Sequence, residues 1–304
     1  MPRLRLPLML VGAALLTVPV TGCSLTSLHT IGGRVRVVAA ENFWGSIAHQ
    51  IGGAHADTQS IIVNPAQDPH SYEPTTGDAR TLATAQLAIV NGIGYDPWAP
   101  KLLAANPVNG RRVLTVGSLF GLSEGDNPHR WYDPTDVTAV AAAIAADLER
   151  LDPADKAYFA QRLRRFDGPG LAAYHRVIAD IRRRYAGVPV GASESIFALQ
   201  APALGLRLIT PASFMKAISE GTEVTAQDTI TSERQLTSRR IKVWVENSQN
   251  VTPQIQRLNG LAHSAGIPVA TVTETLSPAS DSFQQWQVAQ LDGLEAALHR
   301  ATGR

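Results

Sequence analysis

PADKAYFAQRLRRFDGPGLAAYHRVIADIRRRY, residues 153–185, carries Tyr158, Leu163, Phe166, Leu171, Tyr174, Ile178 and Ile181 at spacings near three to four. That period stacks side chains on one face of a helix. Apolar runs of strand length alternate with helix-like stretches on both sides of it, so the segment predicts one long linking helix, residues 151–186, between two α/β lobes. Asp167-Gly168-Pro169-Gly170 interrupts the pattern. Proline cannot donate to the helical ladder and glycine is a poor helix former, so a kink or short break is expected there.

Outward from the linker, the N-terminal lobe (34–150) offers Val35 to Ala39, Gln59 to Val63, Leu87 to Val90 and Arg112 to Val116 as strands, followed by the Ala-rich helix Val137 to Leu151. The C-terminal lobe (187–304) repeats the rhythm with Val188 to Ala192, Arg207 to Ile209, Ile241 to Val245 and Ile267 to Val272. Thr252-Pro253 marks a helix start, and Phe283, Trp286, Leu291, Leu294 and Leu298 form the core stripe of a last helix. The expected fold is α/β: two lobes with mostly parallel sheets joined by one long helix, with a ligand site in the cleft between them.

Composition agrees. The chain has 304 residues, 44% hydrophobic and 17% charged, which excludes disorder as its main state. Its 27 basic and 26 acidic side chains form no block of like charge, so no nucleic-acid partner is expected. A single Cys excludes an internal disulfide. Residues 1–22 hold Arg3 and Arg5, then an apolar run from Leu6 to Val20 with Pro19 near its end, and no acid. This is the layout of a secretory signal, too short for a membrane span of roughly 20 apolar residues. Val20-Thr21-Gly22-Cys23 resembles a bacterial lipobox, which implies cleavage before Cys23 and lipidation of its thiol. Residues 23–33 are small and polar and read as a flexible tether.

Two of the eight histidines share one setting, Asp68-Pro69-His70 and Asn127-Pro128-His129, each presented from a rigid loop. The others, His29 in the tether and His49, His55, His175, His263 and His299 on or beside helices, read as solvent-exposed. Glu194 follows the strand ending at Ala192, and Glu274 follows the last strand. Carboxyl ends of strands are where α/β folds place binding groups. Two imidazoles and two carboxylates, His70, His129, Glu194 and Glu274, make a complete ligand set for a divalent metal.

Ala40-Glu41-Asn42-Phe43-Trp44, the segment Asn64 to Pro74, the run Asn91 to Trp98, the run Asn127 to Pro134, Ser193-Glu194-Ser195 before Phe197, and Thr273-Glu274-Thr275-Leu276 closely resemble the metal-binding solute-binding lipoproteins of bacterial ABC importers for zinc and manganese. The likeness covers essentially the whole chain after the signal segment. It implies two α/β lobes bridged by a long helix, a monomer tethered to the membrane, an ABC permease as partner, and a metal held at the lobe interface by His70, His129, Glu194 and a fourth acid. The third position is His in many zinc-type members and Glu in manganese-type ones. At the fourth position the family commonly has Asp, where this chain has Glu274. The His-rich insertion of many zinc-type members is missing between Leu119 and Asn127.

Two hard carboxylates lean the site toward Mn²⁺, with Fe²⁺ a further candidate, yet Zn²⁺ binds most nitrogen and oxygen sites more tightly, so manganese and zinc both stay open. Tyr72, Glu73 and Asp133 are expected to orient the imidazoles, and Asn91 and Asn247 to brace the loops. Affinity is expected to fall as pH drops through the imidazole range, about 6.5 for an unperturbed His. A metal-dependent hydrolase is disfavoured because no His-Glu-x-x-His or Gly-x-Ser-x-Gly occurs, and the chain is not expected to be an enzyme. A surface adhesin remains a third reading, with no repeat to support it.

Overall fold

The structure is a computed structural model and describes residues 33–65, 67 and 69–304. The signal segment 1–22, Cys23 and the rest of the tether up to residue 32 lie outside the described residues. Among those described, no helix is long and apolar enough to cross a membrane.

The first half runs β1 (Val35–Glu41), α1 (Asn42–Gly52), β2 (Ala56–Ile62), α2 (Thr76–Ala83), β3 (Leu87–Val90), α3 (Trp98–Ala105), β4 (Arg112–Thr115), α4 (Val116–Leu119) and α5 (Pro134–Leu151). Then come α6 (Lys156–Arg165) and α7 (Ala172–Tyr185). The second half is β5 (Pro189–Ala192), β6 (Arg207–Leu208), α8 (Ala212–Ser219), α9 (Ala226–Thr237), β7 (Val243–Asn247), α10 (Pro253–Ser264), β8 (Val269–Val272) and α11 (Phe283–Thr302). Each half holds a four-stranded sheet, ordered β2-β1-β3-β4 and β6-β5-β7-β8. Every pairing is parallel. The fold is therefore two parallel-sheet α/β lobes with a long helical segment between them.

Alternation along the strands explains the layers. Val35, Val37 and Ala39 of β1, with Leu87 and Ile89 of β3, enter the main core, whereas Val38, Ala40, Ala88 and Val90 face a second cluster with Leu82 and Trp98. Both faces of the sheet are covered, as parallel sheets require. The main core does not stop at the first lobe. It continues through Phe159, Phe166 and Tyr174 of the linker into Val190, Trp244 and Trp286 of the second.

All eight expected strands are present, Leu87–Val90 with the expected limits and the others with shifted ones. The shift that matters is in β7, which runs from Val243 to Asn247 rather than from Ile241 to Val245 and so brings Asn247 to the strand's carboxyl end. The linking segment is interrupted where Asp167-Gly168-Pro169-Gly170 predicts it: after α5 ends at Leu151 and a short 3-10 turn covers Pro153–Asp155, α6 and α7 are joined by a π turn, Phe166–Gly170. Pro169 has no N–H to give the Arg165 carbonyl, so the ladder slips and Leu171 N–H closes on the Phe166 carbonyl at 2.9 Å.

The two helices belong to different lobes. In α6, the Tyr158 hydroxyl accepts from Ala54 N–H at 2.9 Å, and Arg162 Nε donates to the Gln50 carbonyl at 2.8 Å. In α7, Arg182 donates to the Ala203 carbonyl at 3.2 Å and Tyr185 to the Arg304 carbonyl at 3.0 Å. The lobes are also stitched directly, by Leu276 N–H to Asn42 Oδ1 at 3.1 Å and Phe283 N–H to Ser46 Oγ at 2.9 Å.

The π turn makes a stability prediction. A Cβ on Gly168 meets nothing within 4 Å, while one on Gly170 would sit 3.0 Å from the Arg165 carbonyl oxygen. Gly168→Ala is expected to stabilise the protein by about 0.5–1 kcal/mol through the unfolded chain's lost freedom. Gly170→Ala is expected to destabilise it. Urea unfolding of the two variants distinguishes them, and equal effects would contradict the geometry.

Candidate metal centre

Four loops on the carboxyl-end edges of the two sheets carry the four residues expected as ligands. His70 lies in the 3-10 turn Pro69–Ser71 after β2, and His129 directly precedes the turn Arg130–Tyr132. The loop bearing His129 follows the short helix α4 rather than β4 itself. Glu194 stands two residues past β5 and Glu274 two residues past β8. His70, His129 and Glu274 each offer a ligand atom within 4.8 Å of the others. His129 Nε2 is 3.4 Å from Glu274 Oε2, and His70 Nε2 is 4.0 Å from Glu274 Oε1. Glu194 joins this group through Asn247, whose Nδ2 donates to Glu194 Oε1 at 2.5 Å and to Glu274 Oε1 at 2.8 Å.

Three of the four residues are closed to solvent. His129 and Glu194 are 0% exposed and Glu274 is 1% exposed. The His70 side chain keeps 21% of its surface and lines a cleft of about 950 Å³ between the lobes, with Ile93, Asn127, Ser195, Lys216 and Asn250. Aromatic rings wall the histidines. Tyr95 meets His70 edge-on at 4.6 Å, Trp131 meets His129 at 5.3 Å, and Phe43 stacks on Trp131 at 3.9 Å.

Asn127 determines the tautomer of His129. Its amide nitrogen donates to the Ser195 carbonyl at 2.8 Å, so its Oδ1 is the atom 2.8 Å from His129 Nδ1, and it also accepts His129 N–H at 3.1 Å. Nδ1 thus carries the proton and Nε2 presents a lone pair. Burial lowers the imidazole pKa to about 4, against the pull of Glu194, so the ring is neutral near pH 7. The buried Nε2 has no hydrogen-bond partner and faces a carboxylate oxygen. Acceptor against acceptor in a dry pocket is unfavourable for protein atoms alone and suits a shared cation.

The carboxylates are tied as firmly. Glu194 Oε2 accepts from Asn250 Nδ2 at 2.9 Å and from the Ser219 hydroxyl at 3.4 Å, and Glu274 Oε2 accepts from the Tyr95 hydroxyl at 3.0 Å. Burial, and then the neighbouring charge of Glu274, push the Glu194 carboxyl up to about 8. Glu194 therefore changes charge near neutral pH, and His129 does not supply the imidazole-range titration expected from sequence.

Asn91 and Asn247 brace the site as expected. Asn91 accepts from Trp44 Nε1 at 3.0 Å and donates to the Pro128 carbonyl at 3.0 Å, holding the His129 loop. The other expected supports do different work. Tyr72 donates to Asp78 at 2.8 Å, Asp133 caps α5 through Thr135 N–H at 2.8 Å, and Glu73 is exposed. The residues missed are Asn127, Tyr95, Asn250 and Ser219. Asn127 stood inside the quoted Asn-Pro-His motif, where a short amide two residues before an imidazole was the available signal. His49, His175, His263 and His299 are exposed as expected, whereas His55 pairs with Asp155 and stacks on Tyr158 at 4.1 Å.

The chain is similar to known proteins in sequence and in fold. The family described as zinc-uptake complex component A, periplasmic, matches residues 37–297. The manganese ABC transporter substrate-binding lipoprotein PsaA of Streptococcus anginosus is 24% identical over 300 residues, covering 89% of this chain and 91% of that protein. The Mn-bound periplasmic metal binding protein of Candidatus Liberibacter asiaticus superposes with a TM-score of 0.72 at 17% identity, over 87% of this chain and 100% of that one. A mutant of the laminin-binding adhesin Lmb of Streptococcus agalactiae has a TM-score of 0.70 at 19% identity, over 88% of this chain and 100% of that one.

The buried titrations predict how the metal-free protein responds to pH. Glu194, raised to about 8, and Asp96, raised to about 6, contribute stability that is complete below their unfolded values and lost as pH climbs through the folded ones. His129, lowered to about 4, works the other way, its contribution being lost as pH falls from the unfolded value toward 4. From about pH 7 to 8 the His129 and Asp96 contributions flatten, and stability falls with a slope from Glu194 of up to about 1.4 kcal/mol per pH unit. Glu41, buried beside Asp96 and raised in the same sense, adds to the fall. The readout is therefore the difference between wild type and Glu194→Gln in thermal unfolding across that window. The variant is expected to be flatter, and identical slopes would contradict the assignment.

Proposed function

The chain belongs to the zinc-uptake complex component A family of periplasmic proteins, and on that premise we propose that it captures one divalent metal ion outside the cytoplasm and delivers it to an ABC import permease. The ligands in this reading are His70, His129, Glu194 and Glu274. It is carried by one observation: the neutral, fully buried Nε2 of His129, without a hydrogen-bond partner and 3.4 Å from Glu274 Oε2. A solvated loop histidine would not be built that way.

The ion is cargo rather than a resident cofactor. His70 and the cleft leave one side open for its entry and exit, while Asn127 and Asn247 hold the inner ligands ready. Four protein donors complete a small ion's shell and leave no open position for an activated water, so we infer binding without catalysis. Two carboxylates suit Mn²⁺, and the general affinity order favours Zn²⁺, so the cargo is one of these, with Fe²⁺ third. PsaA, named for manganese transport, supports the transport reading over the adhesin one. The likeness to the laminin-binding adhesin is one of fold.

We further propose lobes at 34–150 and 187–304 on the linker 151–186, a monomer in solution, and a lipid anchor on Cys23 after removal of residues 1–22. Competitive titration of Mn²⁺ and Zn²⁺ on demetallated protein tests the capture reading. Wild type is expected to bind one equivalent, and Glu274→Ala, like the double variant His70→Ala with His129→Ala, is expected to lose it. Stoichiometric binding retained in the double variant would overturn the assignment. Cys23→Ala is expected to release the protein from the cell envelope into the soluble fraction, and unchanged retention with membranes would rule out the anchor.

A further inference from the structure

In the second sheet, β7 lies between β5 and β8, and the strands that lead to Glu194 and Glu274 are its two neighbours. Adjacent parallel strands are about 4.8 Å apart, so the two acids start from backbones roughly twice that distance apart and converge over the end of the central strand. Asn247 is the last residue of that strand. It is fully buried, and its Nδ2 spends one hydrogen on each carboxylate, at 2.5 Å to Glu194 Oε1 and 2.8 Å to Glu274 Oε1.

The Asn247 side chain is itself anchored. Its Oδ1 accepts Gln249 N–H at 3.0 Å, and its backbone N–H donates to the Ser193 hydroxyl at 2.9 Å. Gln249 in turn accepts Thr275 N–H at 2.9 Å, one residue beyond Glu274. The amide's oxygen is thus assigned by a backbone donor, and its NH₂ can point only at the acids. One rigid planar group therefore sets the separation and the orientation of both carboxylates.

We propose that Asn247 is the positioning residue for metal selectivity: by bonding one oxygen of each carboxylate it holds Glu194 and Glu274 as single-oxygen ligands in a four-donor shell. That shell matches Zn²⁺, which takes four tetrahedral ligands, better than Mn²⁺, which accepts a larger oxygen shell. Without the amide, each carboxylate loses the donor on its Oε1 and can offer that oxygen as well as the one held by Asn250 or Tyr95. The gain from doing so falls to the ion that tolerates higher coordination. This inference rests on the metal-capture reading of the same four ligands, and it extends that reading to the residue that discriminates between ions.

The test uses Co²⁺ as a spectroscopic probe together with Zn²⁺ and Mn²⁺ titrations, on wild type, Asn247→Ala and Asn247→Asp. Asn247→Asp keeps the side-chain shape and the acceptor for Gln249 N–H but puts an acceptor in place of the donor, so it stays informative if the alanine variant folds poorly. Wild type is expected to give the intense visible bands of four-coordinate Co²⁺. Both variants are expected to give the weaker bands of a five- or six-coordinate ion. Zn²⁺ affinity is expected to fall about 10–100-fold, as for loss of other groups that orient metal ligands, and Mn²⁺ affinity to fall less. Unchanged Co²⁺ bands and an unchanged Zn²⁺/Mn²⁺ ratio in variants that are merely less stable would overturn the positioning role and leave metal capture standing. Absence of stoichiometric uptake by the wild type would overturn both.

Discussion

Glu194 and Glu274 sit with His129 in one pocket closed to solvent, and two like charges in a dry site cost several kcal/mol unless something offsets them. In the metal-free protein three things do so: a proton retained on Glu194, the amide of Asn247 between the acids, and single donors from Asn250 and Tyr95. In the proposed capture, a divalent cation replaces the proton with two positive charges and meets the lone pair of His129 at the same time. On that reading the pocket is poised between a protonated and a metal-loaded form, and the surrounding hydrogen bonds keep the side chains from relaxing into another pairing.

That arrangement uses the same device twice. In each sheet an asparagine at or just past the end of a central strand, Asn91 after β3 and Asn247 closing β7, bridges groups that neighbouring strands deliver. Parallel strands place all their carboxyl ends on one edge, so a side chain from the middle strand reaches both sides. The loops are then fastened across the cleft. Asn127 donates to the Ser195 carbonyl, Gln249 to the Pro65 carbonyl, and Lys216 to the Gly125 carbonyl at 2.5 Å. With the lobes also bonded directly at Asn42 and Ser46, and the main core continuous through the linker, large separation of the lobes would break buried contacts. The π turn between α6 and α7, where each helix is fastened to a different lobe, is the place where the chain can yield with least loss.

Much of this was written in local patterns. The alternation of apolar runs announced the two sheets, and Gly168-Pro169-Gly170 marked the break in the linking segment because proline's missing N–H acts wherever it stands. His70 and His129 were visible through their matched Pro-His settings, and Glu194 and Glu274 through their places after strands. The supports were less legible. Tyr72 and Asp133 looked suited to orient the imidazoles because they are near in sequence, but each is used by its own helix start, while the donors that reach the site come from Tyr95, Ser219 and Asn250 on other loops.

The sequence by itself determined which side chains are available and which backbone elements carry them, because strand alternation, helix period and proline geometry are local properties. Only the tertiary structure decided what those side chains do. Whether an imidazole is neutral, whether a glutamate holds its proton near pH 7, and which amide lies between two acids depend on burial and on neighbours 25 or more residues away. Desolvation and charge coupling act through space, and the chain must close its two sheets around the pocket before either exists.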